Sequence, residues 1–263
     1  MNMKHKMQIK LRSTLLAAAL ALPLAGAAQA SEGAALKHVD WSFSGPFGTF
    51  DRAQLKRGFQ VYKEVCAACH SIKYVSYRNL SEPGGPQFSE AEVKAIAAAG
   101  TVTDGPNADG EMFERPAEPK DRIVKPFPND NAARAANNGA LPPDLSLMTK
   151  ARKNGPDYLY SLLTGYGDAP EGVVLADGMN YNHTFPGQQI AMPAPLSDDQ
   201  VTYEDGTAAS LDQMAQDVTA FLMWTAEPKL EDRHKLGFKV IIFLSILAGL
   251  LFATYKRIWK DQH

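Results

Sequence analysis

The chain has 263 residues and two cysteines, too few for a disulfide-stapled scaffold or a four-cysteine zinc ribbon. Its formal net charge of −2 hides an asymmetry: 8 of the 27 Lys and Arg lie before residue 31 or from Lys239 onward, against one of the 29 Asp and Glu, which leaves 19 basic and 28 acidic residues between, a net charge near −9. A field of that sign repels nucleic acid and steers basic partners.

Residues 1–30 read as a secretory signal peptide. Lys4, Lys6, Lys10 and Arg12 form a basic head, Leu15 to Ala28 an apolar run, and Ala28-Gln29-Ala30 a small-x-small cleavage site before Ser31. The run is short for a membrane anchor, and the segment is poorer in Arg and Ser than a mitochondrial presequence.

The first helix of the domain is expected in "DRAQLKRGFQVYKEVC", where Leu55, Phe59, Tyr62 and Cys66 recur at helical spacing. It leads into Cys66-Ala67-Ala68-Cys69-His70. A structural zinc site would need two more ligands, and no second cysteine pair supplies them. A redox dithiol belongs beside a βαβ pattern, whereas an amphipathic helix stands here. The third reading fits the spacing: two thiols on one turn hold a haem through its two vinyl groups, and the next imidazole reaches the iron. The chain offers no Ser-His-Asp set, phosphate loop or HExxH site that would point elsewhere.

Ser89 to Ala99 opens with Ser-x-x-Glu, a capping box, and stops at Gly100. A shorter helix is expected over Asp157–Leu163. Another starts at the cap Ser210, carries Met214, Val218, Phe221 and Leu222 as its stripe, and is closed by Pro228. Between these helices, residues 101–143 and 165–209 read as two long loops rich in Pro, Gly and Asn. Loops of that length normally serve a function, and wrapping a large flat cofactor is one.

A second iron ligand is sought among the domain's methionines and histidines. Met214, Met223 and Met148 read as core filler. Met192 lies in "QQIAMPAPL", an irregular segment braced by Pro193 and Pro195, and a thioether there raises the iron's potential and suits electron transfer. His183 is the rival. Arg134 and Arg152 are candidates to meet the haem propionates.

Near the C-terminus, "LGFKVIIFLSILAGLLFAT" (Leu236–Thr254) is apolar and, at about 1.5 Å per residue, roughly 28 Å long, enough to cross a bilayer. Lys239 can snorkel at one end, and Tyr255, Trp259, Lys256, Arg257 and Lys260 form a collar at the other. The expected plan is a signal peptide at 1–30, an exported domain at 31–235, a transmembrane helix at 236–255 and a cytoplasmic tail at 256–263.

Taken together, "RGFQVYKEVCAACHSIKYVSYRNL", "DGPNADGEMFERPAEPKDR", "NDNAARAANNGALPPDLSLMTKAR", "GPDYLYSLLTGY", "FPGQQIAMPAPL" and "DVTAFLMWTAEPKLEDRHKLGFK" give the chain a close resemblance to the cytochrome c1 family, the membrane-anchored haem subunits of cytochrome bc1 complexes. The resemblance covers almost all of the mature chain. It implies one covalently bound haem c, with Cys66 and Cys69 as thioether positions, His70 as proximal ligand and Met192 as distal ligand. It favours Arg152 over Arg134 as the propionate partner, with Tyr158 nearby. It also implies that the "LPPDLS" segment around Pro142 packs on the haem and can offer a carbonyl to the second nitrogen of His70. Many bacterial relatives carry an extra cysteine pair that braces the loop before the methionine; this chain has none, and its loop from Gly165 to Ile190 is short.

The fold class that follows is mostly α, a cytochrome c-like haem domain with long loops plus one C-terminal transmembrane helix. The implied function is that of an electron-carrying subunit of a quinol–cytochrome c oxidoreductase on the periplasmic side of a bacterial inner membrane. Its partners would be cytochrome b, the Rieske iron–sulfur protein and a c-type cytochrome acceptor, in a dimeric complex without nucleic acid. The alternatives are a standalone membrane cytochrome c feeding a terminal oxidase, or a haem peroxidase or gas sensor with an open iron.

Overall fold

The computed structural model describes residues 35–260, so the expected signal peptide and the last three residues of the tail lie outside the described residues. Two helices make the frame. Helix α1 (Arg52–Glu64) is capped by Asp51, whose carboxylate accepts from Ala53 N at 2.9 Å and Gln54 N at 3.2 Å, and it buries Leu55, Phe59, Val61 and Tyr62. Its partner buries the stripe expected from the Ser210 cap, from Met214 to Trp224, and is α5 (Leu211–Ala226). The two cross at Gly58, where a Cβ would lie 2.0 Å from the Asp217 carbonyl oxygen, so only glycine permits the approach. Beside the crossing, Phe59 and Phe221 pack edge to face with ring centroids 5.6 Å apart, and Trp224 packs on Phe221 at a tilt of 35°, also at 5.6 Å.

The remaining helices are α2 (Glu90–Ala98), α3 (Asp130–Ala136), α4 (Gly155–Leu163) and α6 (Leu230–Trp259). The capping box of α2 is closed both ways: Ser89 N donates to Glu92 at 2.6 Å, and Glu92 N donates to Ser89 Oγ at 3.2 Å.

The two long loops are less structureless than their composition suggests. The first holds an antiparallel hairpin, β1 (Thr101–Asp104) with β2 (Phe113–Pro116), and then α3, capped by Asn129. Arg115 braces the hairpin by pairing with Asp104 at 2.5 Å and Asp121 at 2.7 Å. The second contains a two-residue hairpin, β3 (Asn180–Tyr181) with β4 (Gln189–Ile190).

Helix α6 has 30 residues, and its most apolar window has a mean hydropathy of 2.4 with none of it buried. The sequence places the span from residue 236, but the helix begins earlier, at Leu230, inside the domain. Leu230 and Glu231 are buried, and Glu231 accepts from Phe50 N at 3.0 Å and pairs with Arg52 at 2.7 Å. Domain and span therefore share one unbroken helix.

Candidate functional site

Helix α1 ends at Glu64, and the backbone tightens into a 3-10 turn over Cys66–Ala68. The amides of Cys69 and His70 both donate to the Cys66 carbonyl, at 3.1 and 2.9 Å, which puts the two thiols and the imidazole on one turn. Both cysteines are unbridged and half-buried. Burial pushes the Cys66 thiol up to about 12, with the neighbouring Cys69 adding to the rise. Such a thiol is almost wholly protonated at neutral pH, the reverse of what a redox dithiol needs. Among the described residues no group of three or more His, Cys, Asp or Glu side chains is arranged to hold a metal ion, which removes the zinc reading there.

His70 Nδ1 lies 2.8 Å from the Pro143 carbonyl oxygen. A carbonyl only accepts, so Nδ1 carries the proton and the lone pair is left on Nε2. Burial lowers the pKa of the ring and so favours its neutral form, against the raising effects of the Pro143 carbonyl and Asp144. The expected carbonyl from "LPPDLS" is thus Pro143's, while Pro142 is half-buried beside it.

The segment that carries this carbonyl is clamped by Asp144. Its Oδ2 accepts from Ser71 Oγ at 2.7 Å and Lys73 N at 2.8 Å, and its Oδ1 accepts from Ser146 N at 3.0 Å. Leu145 N donates to the Ser71 carbonyl at 2.8 Å, and Tyr74 N to Ser146 Oγ at 3.1 Å. Burial would raise the Asp144 pKa, but these hydrogen bonds outweigh it and the net shift is downward. From the other side, Tyr62 donates to the His70 carbonyl at 3.1 Å.

Met192 is half-buried against the core, and its carbonyl accepts from the Tyr166 hydroxyl at 3.2 Å. The loop before it is held without a disulfide by one fully buried residue, Asn182. The Asn182 Nδ2 donates to the Leu162 carbonyl at 2.8 Å, and its Oδ1 accepts from the amides of Thr184 and Phe185, both at 3.0 Å. Thr184 Oγ1 adds a bond to the Ser161 carbonyl at 3.0 Å, and His183 N one to the Gly165 carbonyl at 2.9 Å. A side chain at Gly165 would meet the Ser161 carbonyl at 2.6 Å and Thr184 Oγ1 at 2.9 Å. The loop is thereby fastened to the last turn of α4, and β4 delivers the chain to Ile190, two residues before Met192.

The other candidates separate by exposure. His183 is exposed, with its ring edge-on to Tyr181 at 4.9 Å. Arg134 donates to the Gly139 carbonyl at 3.1 Å and closes the end of its own helix. Arg152 is exposed and bonds only to the adjacent Ala151 carbonyl, at 3.1 Å, among the described residues. Tyr158 is half-buried on α4, near enough to Tyr166 to contribute to the rise in that phenol's pKa after burial. Asp144, Tyr166 and Asn182 escape sequence reasoning because isolated polar residues in loops carry no periodic signal; only the Asp-x-Ser spacing of Asp144 and Ser146 hints at a local turn.

The donor set suits a covalently held haem: two unbridged thiols on one turn, a neutral imidazole with its Nδ1 engaged and Nε2 available, and a thioether on a fastened loop. Exposed Leu141 and Leu147 flank the Pro143–Asp144 clamp and offer apolar surface for such a group to cover.

Comparison with known proteins agrees with this chemistry. Residues 41–262 match the Cytochrome C1 family. The chain is 49% identical over 267 residues to "Cytochrome c1" of Rhodospirillum rubrum, covering 95% of this chain and 97% of that protein. It is 52% identical over 220 residues to "Cytochrome c1, heme protein, mitochondrial" of Saccharomyces cerevisiae, covering 83% of this chain and 70% of that one. To "Cytochrome b/c1" of Bradyrhizobium diazoefficiens it is 53% identical over 242 residues, 85% of this chain but only 35% of that longer protein.

Proposed function

The chain belongs to the cytochrome c1 family, and from that premise we propose that it carries one covalently bound haem c and passes single electrons within a cytochrome bc1 complex. The donor is the Rieske iron–sulfur protein and the acceptor a c-type cytochrome, with cytochrome b as the third core partner in a dimeric assembly. The chain is then an electron carrier, and enzymatic only as the haem subunit of a quinol–cytochrome c oxidoreductase. The observation that carries this reading is the turn at residues 66–70, where two unbridged thiols stand beside an imidazole whose Nδ1 is already engaged.

When bound, the haem supplies a one-electron ferric–ferrous couple. Cys66 and Cys69 would hold it as thioethers, a use of both sulfurs for which a low thiol pKa is not required. His70 would ligate through Nε2, because the Pro143 carbonyl fixes the proton on Nδ1 and thereby sets both tautomer and ring plane. Met192 would offer its sulfur as the second ligand, its loop steadied by Asn182 and Tyr166. A thioether together with an imidazole would favour a high potential and leave the iron no open position for outside ligands. Arg152, whose guanidinium has donors to spare, and Tyr158 would meet the propionates, and Pro142 would pack on the haem. No side chain acts as acid, base or nucleophile.

The placement proposed is a bacterial inner membrane with the haem domain on the periplasmic side. Residues 1–30 act as a signal peptide, residues 236–255 span the membrane within α6, and residues 256–263 stay in the cytoplasm. The unbroken, unburied apolar stretch of α6 supports a single span.

The test is to denature the purified full-length protein and extract it with acidified acetone. The reading expects the haem spectrum to remain with the polypeptide and no thiol to titrate. Two titratable thiols and a colourless polypeptide would overturn it.

A further inference from the structure

Phe47 is 78% exposed, the most exposed aromatic residue of the domain, yet it is not alone. Its ring meets that of Phe238 on α6 edge to face, with centroids 6.2 Å apart. The loop that carries it is fixed. Ser44 N donates to the Trp41 carbonyl at 3.0 Å and Thr49 N to the Ser42 carbonyl at 3.0 Å. Gly45 takes a φ of +76°, and a Cβ on Gly48 would lie 2.2 Å from the Phe43 carbonyl carbon. The same loop is tied to α6 by His234 Nδ1, which donates to the Gly48 carbonyl at 3.2 Å, and by Glu231, which accepts from Phe50 N at 3.0 Å.

Phe238 stands at the domain end of the apolar stretch, flanked by exposed Lys235 and Lys239. At the far end Tyr255 and Trp259 pair with centroids 6.2 Å apart. At about 1.5 Å per residue the helix rises roughly 26 Å from Phe238 to Tyr255 and roughly 31 Å to Trp259, which brackets the ~30 Å hydrocarbon thickness of a bilayer. Two aromatic pairs thus stand one membrane thickness apart, where amphipathic and aromatic side chains gather, with lysines placed to reach phosphates.

We propose that the 44–48 loop is a second membrane contact, seating Phe47 among phospholipid headgroups beside Phe238. The proposal rests on the reading that α6 spans the membrane. With contact at both the helix and the loop, the domain is restrained from tilting about α6.

The experiment replaces Phe47 with the photoreactive analogue p-benzoylphenylalanine in the full-length chain. Parallel replacements are made at Phe252 within the span and at exposed Met112 on the β hairpin. After illumination of native membranes, adducts are read by mass. The expected result is phospholipid adducts at positions 47 and 252 and none at 112. A cross-link from position 47 to a polypeptide, no adduct there while 252 reacts with lipid, or equal lipid labelling at 112 would overturn the loop contact. Absence of lipid adducts at 252 would overturn the spanning reading; if 47 is silent as well, both fall.

Discussion

The side-chain amide of Asn182 donates to the Leu162 carbonyl at 2.8 Å, joining the loop before Met192 to the last turn of α4. Asn182 also receives two backbone amides, so a fully buried side chain does the bracing that an extra disulfide is expected to do in many bacterial relatives. Replacing Asn182 with Leu leaves these groups without partners in the interior, at about 1–3 kcal/mol for each. A loss of at least about 2 kcal/mol in denaturant unfolding is expected, with carbon monoxide gaining access to the ferrous protein as the Met192 loop loosens. An unchanged unfolding midpoint would show that the hydrogen-bond knot is not what holds the loop.

Met192 and His183 lie on the same side of the sequence from the cysteine motif, but only Met192 is packed against the core. Met192→Leu should convert the six-coordinate, low-spin haem to one that binds carbon monoxide, and should lower its potential. His183→Ala should leave both spectrum and potential as in the wild type. Optical spectra of the two variants decide between the ligands, and the reverse pattern would assign the iron to His183.

Arg57 and Asp217 pair across the α1–α5 crossing at 2.9 Å, with the Asp217 side chain fully buried. Burial raises the Asp217 pKa while Arg57 opposes the rise, so the guanidinium is what permits a carboxylate there. Arg57→Leu strands that charge and should cost about 3–5 kcal/mol. The double replacement, Arg57→Leu with Asp217→Leu, should cost less than the single one. Equal losses in a denaturation series would mean that packing rather than charge sets the stability of the crossing.

The segment from Lys37 to Trp41 is strapped onto α4 by Asp157, which accepts from Trp41 Nε1 at 2.7 Å and pairs with His38 Nδ1 at 2.8 Å. The hydrogen bond and charge of Asp157 raise the His38 pKa above its ordinary 6.5. The stabilisation is therefore complete below 6.5 and is lost as pH rises through the folded-state value. Amide exchange at Val39 should quicken as pH rises above 6.5, beyond its intrinsic base catalysis, and His38→Gln should abolish that excess. Identical pH profiles for the two proteins would exclude the strap as the cause.

A net charge near −9 over the domain should draw a basic c-type cytochrome by long-range attraction. Stopped-flow association with such a partner should slow about tenfold or more between about 10 mM and 1 M salt. A rate indifferent to salt would leave the acidic surface with no part in encounter.

Much of the frame is legible in the sequence because its signals are local. The helical spacing of Leu55, Phe59 and Tyr62 announces α1, the capping box at Ser89 announces α2, the Ser210 cap with its stripe announces α5, and the spacing of Cys66, Cys69 and His70 is contained in one turn. Helix α3 is missed although Asn129 caps it, because its seven residues bury only Ala133 and show no stripe. The β1–β2 hairpin hides for a related reason: neither strand buries a residue, and no alternation of apolar residues marks them in the sequence. The prolines around Met192 already favour it over His183 in the sequence, whereas their different burial is a tertiary property. The partners that orient the site, Pro143, Asp144, Tyr166 and Asn182, act across up to 73 residues of chain and have no pattern a linear reading could detect.

The continuity of α6 sets how far the haem domain can travel. Leu230 and Glu231 are gripped inside the domain, and the helix leaves it with neither glycine-rich linker nor proline break before the apolar stretch. On the proposed placement the anchor is thus a stiff mast rather than a tether, and it would fix the height at which the domain carries its cofactor above the lipid. Whatever distance electrons must be ferried on either side has to be covered by the proteins that deliver and collect them.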